Sequence, residues 1–185
     1  IYINGTTGGD WGATLPTGGA YDSVVVKMDT DGNVLSVKQT SDQTSYGADN
    51  SKTHYILPQS LAVASNGDYY QSGRAFWDGG YNNAEFETLD GESCTTTSGS
   101  NITCYFVRKF DSNHVHQWTK VYQAAKFPII RLNSDETQLI IAGETDSDFN
   151  GQTRPNGMPF TVGTYNYVIV NSISTTDGSI NWTKF

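Results

Sequence analysis

The stretch Asp22–Gln39, DSVVVKMDTDGNVLSVKQ, reads as an apolar run, a tight turn at Asp29-Thr30-Asp31-Gly32-Asn33 and a second apolar run. Two such runs around a polar, Gly-bearing turn are a β-hairpin signal. The layout recurs at Cys104–Lys120, CYFVRKFDSNHVHQWTK, and at Tyr167–Lys184, YVIVNSISTTDGSINWTK. The chain is therefore organised around three copies of one hairpin.

Working outward, a short strand ending in Gly precedes each copy: Tyr2-Ile3-Asn4-Gly5, Tyr70-Gln71-Ser72-Gly73 and Ile140-Ile141-Ala142-Gly143. A further strand entering a polar turn precedes the last two, at Leu61–Asp68 and Ile129–Glu136. The unit is thus four strands, here a, b, c and d, and the first unit lacks strand a. In strand c, Val24, Phe106 and Ile169 align, as do Met28, Phe110 and Ile173, with Val25, Val107 and Val170 on the opposite face. Apolar residues on both faces predict a strand covered on both sides. In strand d, Leu35, His116 and Ile180 align, then Val37, Trp118 and Trp182, with Ser36, Gln117 and Asn181 facing the other way. This predicts an outer strand with one buried and one wet face.

Four-stranded sheets whose inner strands are sandwiched between neighbours are blades of a β-propeller. The expectation is an all-β chain with about three antiparallel blades in one propeller domain. Residues 1–40 form an incomplete first blade, 55–122 a second with a long b–c insertion, and 127–185 a third. A β-sandwich is the alternative, but it does not predict such a repeat. No stretch sustains a helical period. Closed propellers have at least four blades. Three leave two open sheet faces, which predicts part of a larger propeller or assembly, completed by further blades of the same chain or by other chains.

The first unit, GTTGGDWGATLPTGGAYDSVVVKMDTDGNVL (Gly5–Leu35), resembles the seven-bladed β-propeller repeat family, the SBBP repeat. Asp22–Asp29 matches the core of that pattern, and the third unit matches at Gly143-Glu144-Thr145 and Ser147-Asp148-Phe149. The third unit departs at Asn171 and Ser172, and the second departs most, through its insertion. The resemblance implies a propeller, often on secreted or surface proteins, and no particular reaction.

Composition limits the partners. The chain has 185 residues, with 19 acidic against 11 basic side chains and a net charge of −8. That balance disfavours nucleic acid and anionic lipid. No apolar run is long enough for a transmembrane helix. The opening IYINGTT reads as a strand under way rather than a signal peptide. Four Trp, 11 Tyr and 8 Phe supply core material and argue against disorder. The only cysteines, Cys94 and Cys104, flank a polar tract, and their spacing predicts a loop-closing disulfide worth about 2–3 kcal/mol. Free thiols are the alternative. N-x-Thr sequons stand at Asn4, Asn101 and Asn181. Asn101 lies in the looped tract, whereas Asn4 is expected in an interior strand. Together these features predict an extracellular or cell-surface location.

Chemistry is sparse. From the aligned Gly to the end of strand c takes 23, 37 and 30 residues in the three units, and recognition usually sits on such variable loops. The segment Gly73–Thr97 carries Phe76, Trp77, Asp78, Tyr81, Glu85, Phe86, Glu87, Asp90 and Glu92. Its aromatics and carboxylates can bind a glycan or a protein; the plainer alternative is that Phe76, Trp77 and Phe86 pack the loop onto its own blade. Asp146, Asp148 and Asn150 open like a calcium loop, but Gly157 stands where the bidentate Glu belongs. His114-Val115-His116 can present two imidazoles on one face if extended, and neither these nor His54 has a third ligand in view. No catalytic residue and no cofactor other than calcium is indicated. The expected function is structural: a surface or filament-forming glycoprotein acting through protein–protein contacts. A carbohydrate-binding or glycan-hydrolysing propeller with its site in the b–c loops is the alternative.

Overall fold

The computed structural model describes residues 1–9, 11, 21–40, 53–78, 87–94, 101–122, 125–145 and 167–185. Among them there is no helix. The strands are β1 (Tyr2–Thr7), β2 (Asp22–Met28), β3 (Val34–Thr40), β4 (Thr53–Val63), β5 (Tyr69–Asp78), β6 (Glu87–Leu89), β7 (Glu92–Cys94), β8 (Asn101–Phe110), β9 (His116–Tyr122), β10 (Ala125–Leu132), β11 (Gln138–Thr145), β12 (Tyr167–Ser174) and β13 (Ile180–Lys184). They form a first sheet β1-β2-β3, a second β4-β5-β8-β9 and a third β10-β11-β12-β13, with β6 and β7 as a separate two-stranded ribbon. Every pairing is antiparallel between sequence neighbours, apart from the β6–β7 ribbon inserted between β5 and β8. Among the described residues no sheet closes on itself.

The repeat read from the sequence reappears as register. Gly5 pairs with Val24, Gly73 with Phe106 and Gly143 with Ile169. The turns after β2, β8 and β12 each place a left-handed residue two positions before the next strand, Gly32, His114 and Gly178 (φ 88°, 65° and 72°), the third turn being one residue longer. Glycine adopts that conformation freely and histidine at a cost.

Strand d departs from the expected alternation. Met28 pairs with Val34, Phe110 with His116 and Ile173 with Ile180, and in each case the next pair skips one residue. The skipped residues, Leu35, Gln117 and Asn181, are β-bulges. Val34, not Leu35, is thus the counterpart of His116 and Ile180. A bulge puts residues on either side of it on opposite faces. His116 lies edge-on to Phe110, 5.6 Å between ring centres, whereas Trp118 packs against the core shared with the third sheet. Leu35 and Trp182, expected on the buried face, are exposed, and Gln39, Thr119 and Thr183 are buried instead.

The sheets stack in chain order, with β4 between β1 and β10. The second sheet is covered on both faces, as period-2 alternation allows. Tyr69 and Phe110 pack against Val25 of the first sheet. Tyr70, Val107 and Tyr122 pack against Ile130, Leu139, Ile141, Ile169 and Ile173 of the third. Each large apolar side chain buried this way contributes roughly 1.5–3 kcal/mol.

Candidate functional site

Most residues singled out in the sequence as binding groups lie outside the described residues or side chains. Tyr81 and Phe86, and the calcium candidates Asp146, Asp148 and Asn150, are outside the described residues. Phe76, Trp77 and Asp78 end β5, His54 lies in β4, and Asn101 begins β8; the side chains of all five are outside the description. The same holds for Cys94 in β7 and Cys104 in β8. Of the other sequon residues, Asn181 stands exposed on the bulge of β13 and its amide donates to Ser172 Oγ at 3.3 Å. Asn4 lies in β1 with its Nδ2 buried.

The two described histidines do not converge. The His114 ring joins two sheets, with Nε2 2.6 Å from Ser36 Oγ on β3 and Nδ1 3.0 Å from the Tyr69 hydroxyl on β5. His116 turns to its own strand, with Nε2 2.8 Å from Thr119 Oγ1. They fail to share a face because His114 is left-handed, not extended. Among the described residues no group of three or more His, Cys, Asp or Glu is placed to hold a metal.

Burial holds the His114 pKa below the ordinary histidine value of 6.5. Lys27 and Lys38 push it the same way and Asp111 opposes. The folded chain therefore binds this proton less readily than the unfolded chain. Stability from this site is complete above pH 6.5 and is lost as pH falls through the folded-state value. The expected result is a lower urea midpoint at pH 5 than at pH 7.5. In His114→Asn, which keeps a side chain tolerant of positive φ, that difference should shrink. An unchanged difference in the variant would rule out His114 as its source.

A second polar cluster anchors the ribbon. Asp90 (φ 51°) and Gly91 (φ 85°) form the two-residue turn between β6 and β7, a type I′ geometry by its positive φ values. Asp90 Oδ2 forms an ion pair with Arg108, 2.7 Å from its Nε, and accepts a hydrogen bond from Thr119 Oγ1 at 2.5 Å, and His116 Nε2 lies 3.7 Å away. Glu92 on β7 pairs with Lys120 on β9 at 3.1 Å. Arg108 is fully buried in β8, with its guanidinium carbon 4.9 Å from the Phe106 ring centre. Its counterparts by register are Val26 in β2 and Asn171 in β12, the latter satisfied by Thr183 Oγ1 at 2.6 Å. The charge therefore belongs to the unit with the insertion. Asp90 Oδ2 is already engaged by the Arg108 guanidinium and the Thr119 hydroxyl, so the cluster's chemistry is that of an anchor.

The seams between sheets use a repeated set of contacts. At each, the c–d turn of one sheet lies on strand d of the sheet before it. His114 meets Ser36 at the first seam, and at the second Tyr122 donates to the Gly178 carbonyl at 3.3 Å. The second seam is further closed by Glu136, whose carboxylate accepts from Ser65 N at 2.8 and 3.0 Å and from Ser65 Oγ at 2.8 Å. Serine 60 Oγ accepts from Ile130 N at 3.3 Å.

Among the described residues, the outer faces of the first and third sheets have no neighbouring sheet on them. On the first, Ile1 (64% exposed), Ile3 and Val34 stand open beside Val24, Val26 and Met28. On the third, Val168 (68%), Trp182 (41%) and Ile129 stand open beside Ile140, Ala142 and Val170, with Arg131, Glu144 and Lys184 around them. Two apolar sheet faces with charges at the margin of one are the pattern of a contact surface. Neither a family model nor a curated protein matches this chain.

Proposed function

We propose that the chain is a run of blades of an extracellular β-propeller with a structural role, a surface or filament-forming glycoprotein acting through protein–protein contacts. The observation that carries this is the pair of outer sheet faces, apolar where the equivalent internal faces are covered. The propeller reading is supported by three antiparallel sheets stacked in chain order with glycines in one register. Its resemblance to the SBBP repeat at Asp22–Asp29 points the same way. The extracellular assignment rests on the exposed sequon at Asn181, the sequon at Asn101 and the Cys94, Cys104 pair.

The test is light scattering of the purified chain over a concentration series. Association above the 20.2 kDa of the monomer is expected. Placing a lysine at exposed Trp182 should weaken it at least tenfold. A chain monomeric at every concentration, yet retained on a glycan array, would instead support the carbohydrate-binding reading of the b–c loops.

A further inference from the structure

Resting on that reading, we propose that the partner is a second copy of this chain, joined head to tail, with the outer face of its first sheet on the outer face of the third. The two internal seams supply the template. By register Ser36, Trp118 and Trp182 are equivalent, pairing with Lys27, Lys109 and Ser172. Lys38, Lys120 and Lys184 are equivalent too, pairing with Val25, Val107 and Val170. Each strand d thus offers one contact residue and one lysine to the next sheet's c–d turn.

What sits on that residue depends on its size. Ser36 receives a histidine, whose ring it bonds. Trp118 receives a glycine: a methyl built on Gly178 would lie 3.0 Å from the indole and 2.5 Å from Lys120 Cγ. A large flat ring requires a turn with no side chain at this place. Trp182 is again a tryptophan, and it is open.

The chain carries the matching turn. Asp31-Gly32 repeats Asp177-Gly178, with each glycine two residues before strand d; the third turn is one residue longer, closing from Gly178 N to Ser174 O at 3.0 Å where the first closes from Gly32 N to Asp29 O at 3.4 Å. Nothing lies within 4 Å of where a methyl on Gly32 would stand. Socket and plug are therefore at opposite ends of one molecule and unused within it. Exposed Asp31 also complements exposed Lys184. Such a contact is heterologous and propagates into a ring or a filament.

The experiment uses Ile3→Lys and Trp182→Lys, both at exposed sites. Each variant alone should remain monomeric by light scattering. Their equimolar mixture should give a complex of twice the monomer mass and no larger, because each retains one competent face. Should either lysine variant lose its far-UV circular dichroism, Val34→Lys and Val168→Lys replace them. Association of the wild type without rescue in the mixture means a symmetric contact and overturns the head-to-tail proposal alone. A wild type that never associates removes the assembly reading itself.

Discussion

Gly73→Ala will cost about 3 kcal/mol or more of stability, whereas Gly5→Ala, at the equivalent place in the first sheet, will stay within about 1 kcal/mol of the parent. The difference lies in what each methyl would meet. At Gly73 it would collide with the Leu57 carbonyl oxygen and stand 2.8 Å from Pro58 Cα and 3.0 Å from the Leu57 carbonyl carbon. All three are backbone atoms of β4, which slips register between Pro58 and Ser60 opposite this glycine. Proline lacks an N–H and is accommodated at such an irregularity. Relief would require moving β4, which lies between the first and third sheets. At Gly5 the nearest atom is Val24 Cγ1 at 4.0 Å, an ordinary contact. Against a typical stability of about 5–15 kcal/mol, the first loss is large. Urea unfolding of both variants checks this. Equal midpoints would mean that β4 yields freely and that Gly73 is a place in the repeat rather than a requirement of packing.

These two glycines also show what the sequence reveals. Their shared register place follows from the spacing of apolar residues around the hairpins, because turn chemistry and period-2 patterning are local signals. Their unequal crowding depends on β4, and nothing near Gly73 in the chain records it. The bulges of strand d were hidden for a related reason. Leu35, Gln117 and Asn181 are chemically unlike, and a single inserted residue reverses every later face. Pairing Leu35 with His116 and Ile180 was thus off by one in the first unit. The ribbon β6–β7 was within reach, because Asp90-Gly91 is a strong two-residue hairpin signal between Leu89 and Glu92. The partner of Arg108 was not, since spacing alone does not link a strand residue to a ribbon tip 18 positions upstream. The repeat count led to the expectation of two sheet faces without a neighbour. Their fit, Trp182 against a glycine turn, needed the covered copy at Trp118 for comparison.

Removing the carboxylate of Asp90 should be the more damaging half of its ion pair. Arg108 is fully buried, while the Asp90 side chain keeps 22% of its surface exposed. Asp90→Ala leaves a buried guanidinium without the oxygen 2.7 Å from its Nε, and losing one partner of a buried pair costs about 3 kcal/mol. Arg108→Met keeps most of the stem's packing beside Phe106 and leaves a carboxylate that water can reach, so its cost should be roughly 1 kcal/mol. Thr119 loses its acceptor in Asp90→Ala but retains His116 at 2.8 Å, which limits the secondary damage. The double variant should then lie close to Arg108→Met alone, because once the cation is gone the anion has nothing left to neutralise. This gives a coupling of about 3 kcal/mol between the two sites, measurable by urea unfolding in a double-mutant cycle. Additive losses would show that Arg108 is neutralised elsewhere and that Asp90 merely shapes the ribbon turn. A strong coupling would mean that the β6–β7 ribbon is fastened to the second sheet through the Asp90–Arg108 ion pair.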